Sequence, residues 1–258
     1  MTAAGPSLAR RLGLFDAVVI GLGSMIGAGI FTSFAPAAAA AGGGLLIGLA
    51  IAAVVAYCNA TASAQLAAQY PTSGGTYVYG RERLGDWPGF LAGWSFVIGK
   101  TASCAAMALT FAAYAVPVGW QKPVAVLAVL ALAAVNSFGV TRTAGLTRVI
   151  VAVVLVVLVI VIVAGAVGGR SQAADLGVDL LVGGWYGVLQ SAGLLFFAFA
   201  GYARIATMGE EVKDPARTIP RAILTALAIV LVVYALIAVT VLLVLGPERL
   251  AASSAPLV

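Results

Sequence analysis

Long apolar runs that carry no charge are the feature that most constrains what this chain can fold into. Several of them reach the roughly 20 residues that an α-helix needs to cross the hydrocarbon layer of a bilayer. The stretch from Val149 to Ala164 is built almost entirely of Val, Leu and Ile. Because the runs are continuously apolar and lack the polar–apolar alternation of a membrane strand, they predict membrane-spanning helices and not a barrel.

The composition also indicates that most side chains face lipid or each other. Hydrophobic residues make up 62% of the 258 residues and charged residues 9%, whereas a soluble domain carries about 25% charge. So few charges could not keep the surface of a soluble domain of this length wetted. The predicted fold class is therefore an all-α integral membrane protein whose main partner is the lipid bilayer.

Several function classes are excluded by residue type. Cys58 and Cys104 lie inside apolar runs and the chain contains no His, so neither a metal site nor a cofactor is predicted. The sequence offers no paired intramembrane carboxylates and no nucleophile–base arrangement, so no catalytic residues are assigned and an enzyme is not expected. The net charge of +5 comes mainly from basic residues in short loops, which does not indicate a nucleic-acid partner.

Seven spans are predicted, with Pro and Gly marking most of their ends. A polar segment of residues 1–14 precedes them and shows no cleavable signal peptide. The predicted spans are residues 15–38, 43–69, 88–116, 123–139, 146–167, 185–208 and 222–245.

The Lys and Arg residues of the loops predict the orientation of these spans. With a cytoplasmic amino terminus, the outer side would hold only Lys122, Arg170 and Arg249. The inner side would hold Arg10, Arg11, Arg81, Arg83, Arg142, Arg148, Arg204, Lys213, Arg217 and Arg221. The sequence thus predicts a multi-pass protein of the cell (plasma) membrane with its amino terminus inside and its carboxyl terminus outside.

The first predicted span contains Gly21, Gly23, Gly27 and Gly29 around Ser24. One interpretation is helix packing through small residues, and Gly23 and Gly27 have the spacing for it. At about 100° per residue, however, the four glycines do not form one stripe along a helix. A locally unwound backbone would account for all four, so an interruption of the helix between Gly23 and Gly29 is predicted.

An unwound segment inside a membrane exposes backbone polar groups, which is tolerated only where they line a protected cavity. The N–H groups near Gly27, Ala28 and Gly29 could hold a carboxylate at the start of the outer half-helix. Carbonyls at the end of the inner half-helix could accept hydrogen bonds from an ammonium group. The two together fit an amino acid in its zwitterionic form.

The sixth predicted span contains a second irregular segment, Phe196-Phe197-Ala198-Phe199-Ala200-Gly201-Tyr202-Ala203-Arg204. Alone, it is equally compatible with an ordinary span that has a packing glycine. It lies five spans after the first glycine-rich segment, which is where an inverted repeat of five helices would place its counterpart. Non-helical backbone is therefore predicted between about Phe197 and Tyr202, beside the first interruption.

Three ordered motifs resemble the amino acid–polyamine–organocation permeases, in particular actinobacterial and cationic amino-acid-transporter-like members. They are residues 23–31 (GSMIGAGIF), residues 71–77 (PTSGGTY), and residues 197–202 running into 209–220 (GEEVKDPARTIP). The resemblance implies a leucine-transporter-type helical bundle of two inverted five-helix repeats. Here the first repeat would be complete in residues 15–168, an extracellular loop would follow at 169–184, and residues 185–258 would hold two helices of the second repeat.

The resemblance also implies a substrate site between the first and sixth spans near the middle of the bilayer. The substrate would be an amino acid or a related amine, and its transport could be coupled to protons or sodium. The residues assigned to this site are Ser24, Ile26, Gly27, Ala28, Gly29, Phe197, Ala198, Phe199 and Gly201.

Lys100 lies deep within the third predicted span, where an ionisable residue is costly and is a functional candidate. It is interpreted either as a coupling group or fixed cation beside the cavity, or as a structural ammonium bonded to backbone carbonyls or extended towards the interface. Some proton-coupled relatives carry a lysine in the fifth span, where this chain has Val154. The role of that lysine therefore cannot be transferred.

The charged run from Glu210 to Arg221 also has two interpretations, a solvated turn or an inner gate of ion pairs, and the turn is favoured. For the whole chain, the leading hypothesis is a secondary permease working by alternating access. The alternatives are a symporter of another small solute with the same fold, and a truncated membrane remnant that does not transport. Truncation is considered because members of the family usually have ten to fourteen spans.

Overall fold

The computed structural model describes residues 10–137, 140–168 and 183–253 of the chain. The described residues are helical throughout, apart from connecting segments and one isolated bridge between Leu12 and Val212. The α-helices are α1 (Leu14–Met25), α2 (Ala28–Thr32), α3 (Phe34–Ala41), α4 (Leu45–Gln69), α5 (Thr76–Leu84), α6 (Asp86–Ala115), α7 (Gln121–Ser137), α8 (Val140–Gly168), α9 (Gly184–Phe199), α10 (Ala203–Ala206) and α11 (Pro215–Ala252). Short 3-10 helices occupy Gly42–Gly44, Val118–Trp120 and Ala200–Tyr202.

Within the described residues, seven segments are long and apolar enough to cross a membrane. The prediction of an all-α integral membrane protein with seven spans is confirmed. The predicted extracellular loop at 169–184 lies outside the described residues except for its last two, Gly183 and Gly184. The predicted end of the fourth span at Gly139 also lies outside them, and α7 ends at Ser137.

The first and second spans are separated by a reversal of the chain at Gly42, which has a φ of 55°. On α9, Gly187 contacts the carbonyl of Ala40 in α3, whereas Ser191 contacts Gly48 in α4. Further along α9, Ala198 contacts Gly29. The helix α9 therefore runs antiparallel to α2–α3, and α4 starts beside the end of α9 at which α3 finishes. The first span consists of α1, α2 and α3, close to the predicted range of 15–38.

The core of the bundle lies among α1, α4, α9 and α11. In α4, alanines recur at helical spacing and are buried at positions 52, 56, 60, 64 and 67. Small side chains on one helix face allow close approach of neighbouring backbones, which is how membrane helices pack in the absence of water. The spans in α6, α7 and α8 are mostly exposed, and their exposed side chains are predominantly apolar, as contact with lipid requires.

The seventh span begins earlier than the predicted residue 222, because Pro215 starts the helix after Asp214, which has a φ of 47°. Proline is well tolerated at the first helical position, where its missing N–H has no partner in any case. The span extends beyond the predicted end at Leu245, to Ala252. Gly246, with φ 72° and ψ 164°, interrupts α11 directly after Leu245.

Candidate functional site

The helix of the first span is interrupted at two residues. Ile26 has φ −79° and ψ 50°, Gly27 has φ −111° and ψ −135°, and α2 starts at Ala28. The interruption lies inside the predicted interval but is shorter than expected. Gly21 and Gly23 remain helical, and a Cβ on Gly21 would lie 2.3 Å from Cδ1 of Ile205. The packing interpretation therefore fits these two glycines, and unwinding is confined to the region of Gly27.

The sixth span changes less than predicted. Phe197 and Phe199 belong to α9, and the following residues Ala200–Tyr202 form a 3-10 helix with right-handed dihedral angles. The helix is therefore tightened at this place and not opened. A mid-helix stretch of this kind often marks a functional hinge.

The two segments lie side by side in direct backbone contact. A Cβ placed on Gly201 would lie 2.3 Å from the carbonyl oxygen of Ser24, and one placed on Gly29 would lie 2.5 Å from Cα of Ala198. Real Cβ atoms do not approach other atoms so closely, so glycine is required at both positions for this packing.

Tyr234 of α11 connects the same two segments. Its side chain is buried, and its hydroxyl reaches the carbonyl oxygens of Met25 and, at 3.0 Å, Ala198. Its ring packs against Phe199 with a centroid distance of 5.1 Å and against Phe34 edge to face. The sequence analysis missed this residue. Its signal is a single tyrosine in the middle of an otherwise aliphatic span.

A cavity of about 320 Å³ opens between the interrupted first span, the sixth span and α6. Its lining residues are Ser24, Met25, Gly29, Ser95, Phe96, Gly99, Lys100, Ser103, Met107, Phe197, Ala198, Ala200, Gly201 and Ala203. The wall formed by α6 follows one helix face, because its members are three or four residues apart. The sequence analysis found only Lys100 on this wall, although the small and polar residues around it have the same spacing.

Most of the residues assigned to the site line this cavity, namely Ser24, Gly29, Phe197, Ala198, Gly201 and Lys100. Gly27 lies at its edge, where an added Cβ would be 3.4 Å from Sδ of Met107. Two assigned residues are not brought to the cavity. Ile26 is buried in the core, and Phe199 faces Tyr234. The side chain of Ala28 lies outside the described part of the structure, while its backbone begins α2.

The helix α6 is attached to the first span beyond the cavity. Tyr114 of α6 donates a hydrogen bond to the carbonyl of Phe31 at 3.3 Å, and the two rings meet edge to face. Within the cavity wall, Nζ of Lys100 lies 5.7 Å from the centroid of the Phe96 ring. Lys100 is half-buried in the middle of α6.

At the end of the bundle where α1 begins, residues 11–12, 71–73 and 209–213 form a contact that we name the basic-end clasp. The N–H groups of Arg11 and Leu12 point to the carbonyl of Glu211, and Lys213 donates its N–H to Leu12. The N–H of Ser73 points to the carboxylate of Glu210 at 3.3 Å. The second and third sequence motifs therefore meet in space, although more than one hundred residues separate them.

Tyr79 of α5 holds the sixth span close to the clasp. Its hydroxyl donates to the carbonyl of Ala206 at 3.4 Å. Burial raises the pKa of Tyr79 to about 12, because the ionised form would lose its hydration. The hydroxyl therefore keeps its proton at physiological pH and remains a donor.

The charged run from Glu210 to Arg221 is interpreted as a solvated turn or an inner gate of ion pairs, and its two parts differ. Glu211 is mostly buried and pairs with Arg204 at 3.9 Å, and its backbone joins the clasp. Asp214 and Arg217 are exposed, and their pair at 4.0 Å belongs to the turn that starts α11. The first part of the run thus connects elements, whereas the second part is a solvated turn.

A profile of the family described as amino acid permease matches residues 16–257 of the chain. The chain belongs to the amino acid permease family. The resemblance found in the three motifs is thereby confirmed, as is the prediction of a transporter family and not an enzyme family.

Several curated relatives of this permease family match almost the whole chain. An uncharacterized transporter of Mycobacterium tuberculosis (strain ATCC 25618 / H37Rv) is 68% identical over 97% of the chain and 56% of its own length. Cationic amino acid transporter 7, chloroplastic, of Arabidopsis thaliana is 30% identical over 98% of the chain and 47% of its own length. The branched-chain amino acid permease BcaP of Bacillus subtilis is 26% identical over 90% of the chain and 54% of its own length. The chain thus spans about half the length of the curated relatives it matches.

Proposed function

We propose that this protein is a secondary active transporter for amino acids that holds its substrate between the first and sixth spans and works by alternating access. The observation that carries the proposal is the cavity at the interruption of the first span, where a helix starts beside the tightened segment of the sixth span. Membership of the amino acid permease family supports an amino acid as the substrate.

The backbone at the interruption suits a zwitterion. The helix that begins at Ala28 continues through Ser33, whose N–H bonds the carbonyl of Gly29 at 3.0 Å, into α3. The first N–H groups of such a helix have no partner within the helix, and its dipole favours an anion there. A substrate carboxylate would bind at Ala28 and Gly29, and its ammonium group would face the carbonyls of the last turn of α1. Tyr234 would fix the position of those carbonyls.

The basic-end clasp would be the inner gate of the transport cycle. It joins the segment before α1, the loop after α4 and the segment after α10, so its closure separates the cavity from that end of the bundle. Alternating access then requires these contacts to separate when the substrate is released. By the positive-inside rule, this end would face the cytoplasm of a cell whose plasma membrane holds the protein.

Substitution of Gly27 tests the site. A leucine side chain at Gly27 would extend towards Met107 at the cavity edge. We expect Gly27→Leu to weaken amino-acid binding more than tenfold, because each lost charge-assisted hydrogen bond is worth roughly 1.5–3 kcal/mol. The first measurement is amino-acid binding to the purified full chain in lipid nanodiscs. The second is uptake, with membrane abundance measured in the same cells.

Gly193→Leu is the matched control. Gly193 lies in α9, and an added Cβ would meet open space there. This variant should bind and insert as the original chain does. Normal binding by Gly27→Leu would remove Gly27 from the site, whereas loss of the protein from the membrane would indicate a packing role. Binding of another solute without competition from amino acids would favour the symporter of a different solute, and binding without uptake the non-transporting alternative.

A further inference from the structure

We propose that Lys100 determines the charge specificity of the cavity, excluding amino acids with cationic side chains so that the substrates are neutral or acidic amino acids. This inference rests on the proposed function, because it concerns the same cavity. It adds the substrate class, which is distinct from the binding of the α-amino and α-carboxyl groups common to all amino acids.

The position of Lys100 is the first argument. Its side chain is half-buried and lines the cavity on α6, across from Ser24 and Gly201. Among the described residues, the ion pairs found do not include Lys100, and its ammonium faces the ring of Phe96. A cation in this position acts on whatever enters the cavity, since no carboxylate of the described chain neutralises it.

The composition of the lining is the second argument. The described residues around the cavity include hydroxyl, thioether and aromatic side chains but no Asp or Glu. An incoming guanidinium or ammonium side chain would lose water without gaining a carboxylate partner, which is unfavourable. A carboxylate or uncharged side chain meets no such penalty.

A second cation lies near Lys100, beyond the cavity lining. Arg204 is close enough to Lys100 for their positive charges to repel. Glu211 pairs with Arg204 at 3.9 Å, and its backbone is held in the basic-end clasp. The carboxylate of Glu211 thus lies against Arg204 and is not part of the cavity lining.

The size of the effect follows from Coulomb's law. Two like charges about 6 Å apart at an effective dielectric constant of about 20 repel enough to weaken binding about 100-fold. Comparing arginine with citrulline isolates this effect, because the two have nearly the same shape and differ in the charge of the terminal group. Lysine and norleucine form a second, smaller pair.

The experiment measures binding of citrulline, arginine, norleucine, lysine, leucine and glutamate to the purified full chain in lipid nanodiscs, by direct titration and thermal shift. We expect each cationic member to bind about 100-fold more weakly than its neutral partner. In Lys100→Gln, arginine and lysine should gain at least tenfold in affinity, while leucine stays within about threefold. Lys122→Gln is the matched control, because it removes a positive charge from an exposed position at the start of α7.

The outcomes separate the charge specificity, the role of Lys100 and the proposed function. Arginine binding as tightly as citrulline in the original chain would overturn the charge specificity and leave the amino-acid site intact. Weak arginine binding that persists in Lys100→Gln would overturn the role of Lys100. If Lys100→Gln does not fold, Lys100→Met takes its place, and the arginine–citrulline and lysine–norleucine ratios in the original chain still test the charge specificity. If no amino acid binds any variant, the proposed function itself fails.

Discussion

The hydroxyl of Tyr234 reaches the two carbonyls at which the first and sixth spans change their helical geometry, those of Met25 and Ala198. Both segments are buried, so the carbonyls have no access to water there. A buried polar group without a partner costs about 1–3 kcal/mol. At the scale of single residues, this tyrosine is therefore the structural support of the site, although it does not line the cavity.

We expect Tyr234→Phe to lower the free energy of unfolding by about 1–3 kcal/mol, because the ring packing against Phe199 remains and only the hydroxyl is lost. Amino-acid binding should weaken as well, since the position of Met25 is less restricted. Thermal unfolding and ligand titration are the measurements. Tyr57→Phe is the control, as Tyr57 is exposed on α4. An unchanged unfolding midpoint in Tyr234→Phe would show that the hydroxyl has no structural role.

At the scale of elements, the helices that form the core and those that form the cavity wall have different surroundings. In the most apolar stretches of the first, second, sixth and seventh spans, between 39% and 53% of the stretch is buried. In α6 the buried share is 6%. One side of the cavity is thus formed by well-buried spans and the other by a helix that is mostly exposed. At one end of the bundle, the basic-end clasp joins the segment before α1, the loop after α4 and the segment after α10.

Gly209→Ala tests the clasp. A Cβ at this position would lie 2.5 Å from the carbonyl carbon of Pro71 and 2.6 Å from the nitrogen of Thr72, so the loop must move away. The reporter is a cysteine introduced at Ser95 on the cavity wall, with Cys58 and Cys104 replaced by Ala. We expect this cysteine to react faster with a thiol reagent added from the basic end when Gly209→Ala is present than when it is absent. The increase should be severalfold, because forced overpacking costs typically 1–3 kcal/mol.

Gly13→Ala is the control for this experiment. Gly13 lies next to the clasp with a φ of −94°, and an added Cβ there meets nothing within 4 Å. It should leave the reaction rate unchanged. Equal labelling rates in Gly209→Ala and Gly13→Ala would contradict a closing role for the clasp.

At the scale of the whole molecule, the ends of successive spans place most of the basic loops together. Arg148 of α8 bonds Asp16 of α1 at 2.6 Å, and Arg11, Arg204 and Lys213 lie around the clasp at the same end. Basic residues at one end of a membrane bundle indicate the cytoplasmic side, because translocation of Lys and Arg is disfavoured. The topology can therefore be tested independently of any ligand.

We expect a reporter fused after Val258 to lie outside the cytoplasm and one fused before Met1 to lie inside. The measurement is the activity of paired reporters, one active only in the cytoplasm and the other only outside it. Neutralising Arg81, Arg83 and Arg148 together should reduce the asymmetry, whereas neutralising Lys122 and Arg249 should not. Cytoplasmic activity of the carboxyl-terminal fusion would refute the orientation.

The sequence by itself determined that the protein is a membrane protein built of helices. It also determined the approximate limits of the seven spans and the family. It further predicted non-helical backbone between about Gly23 and Gly29, the interval in which Ile26 and Gly27 depart from helical geometry. These properties depend on local hydropathy, on the conformational preferences of Gly and Pro, and on short motifs, so each can be read from neighbouring residues.

Only the tertiary structure decided which glycines pack and which one permits the interruption, because that depends on the atoms facing them. Gly21 is required by Ile205 and Gly201 by Ser24, residues that are distant in sequence. The same is true of the contribution of α6 to the cavity, the hydrogen bonds of Tyr234 and the basic-end clasp, which also depend on contacts between distant segments. Each joins segments separated by tens to hundreds of residues, and hydropathy carries no information about which apolar faces meet when every span is apolar.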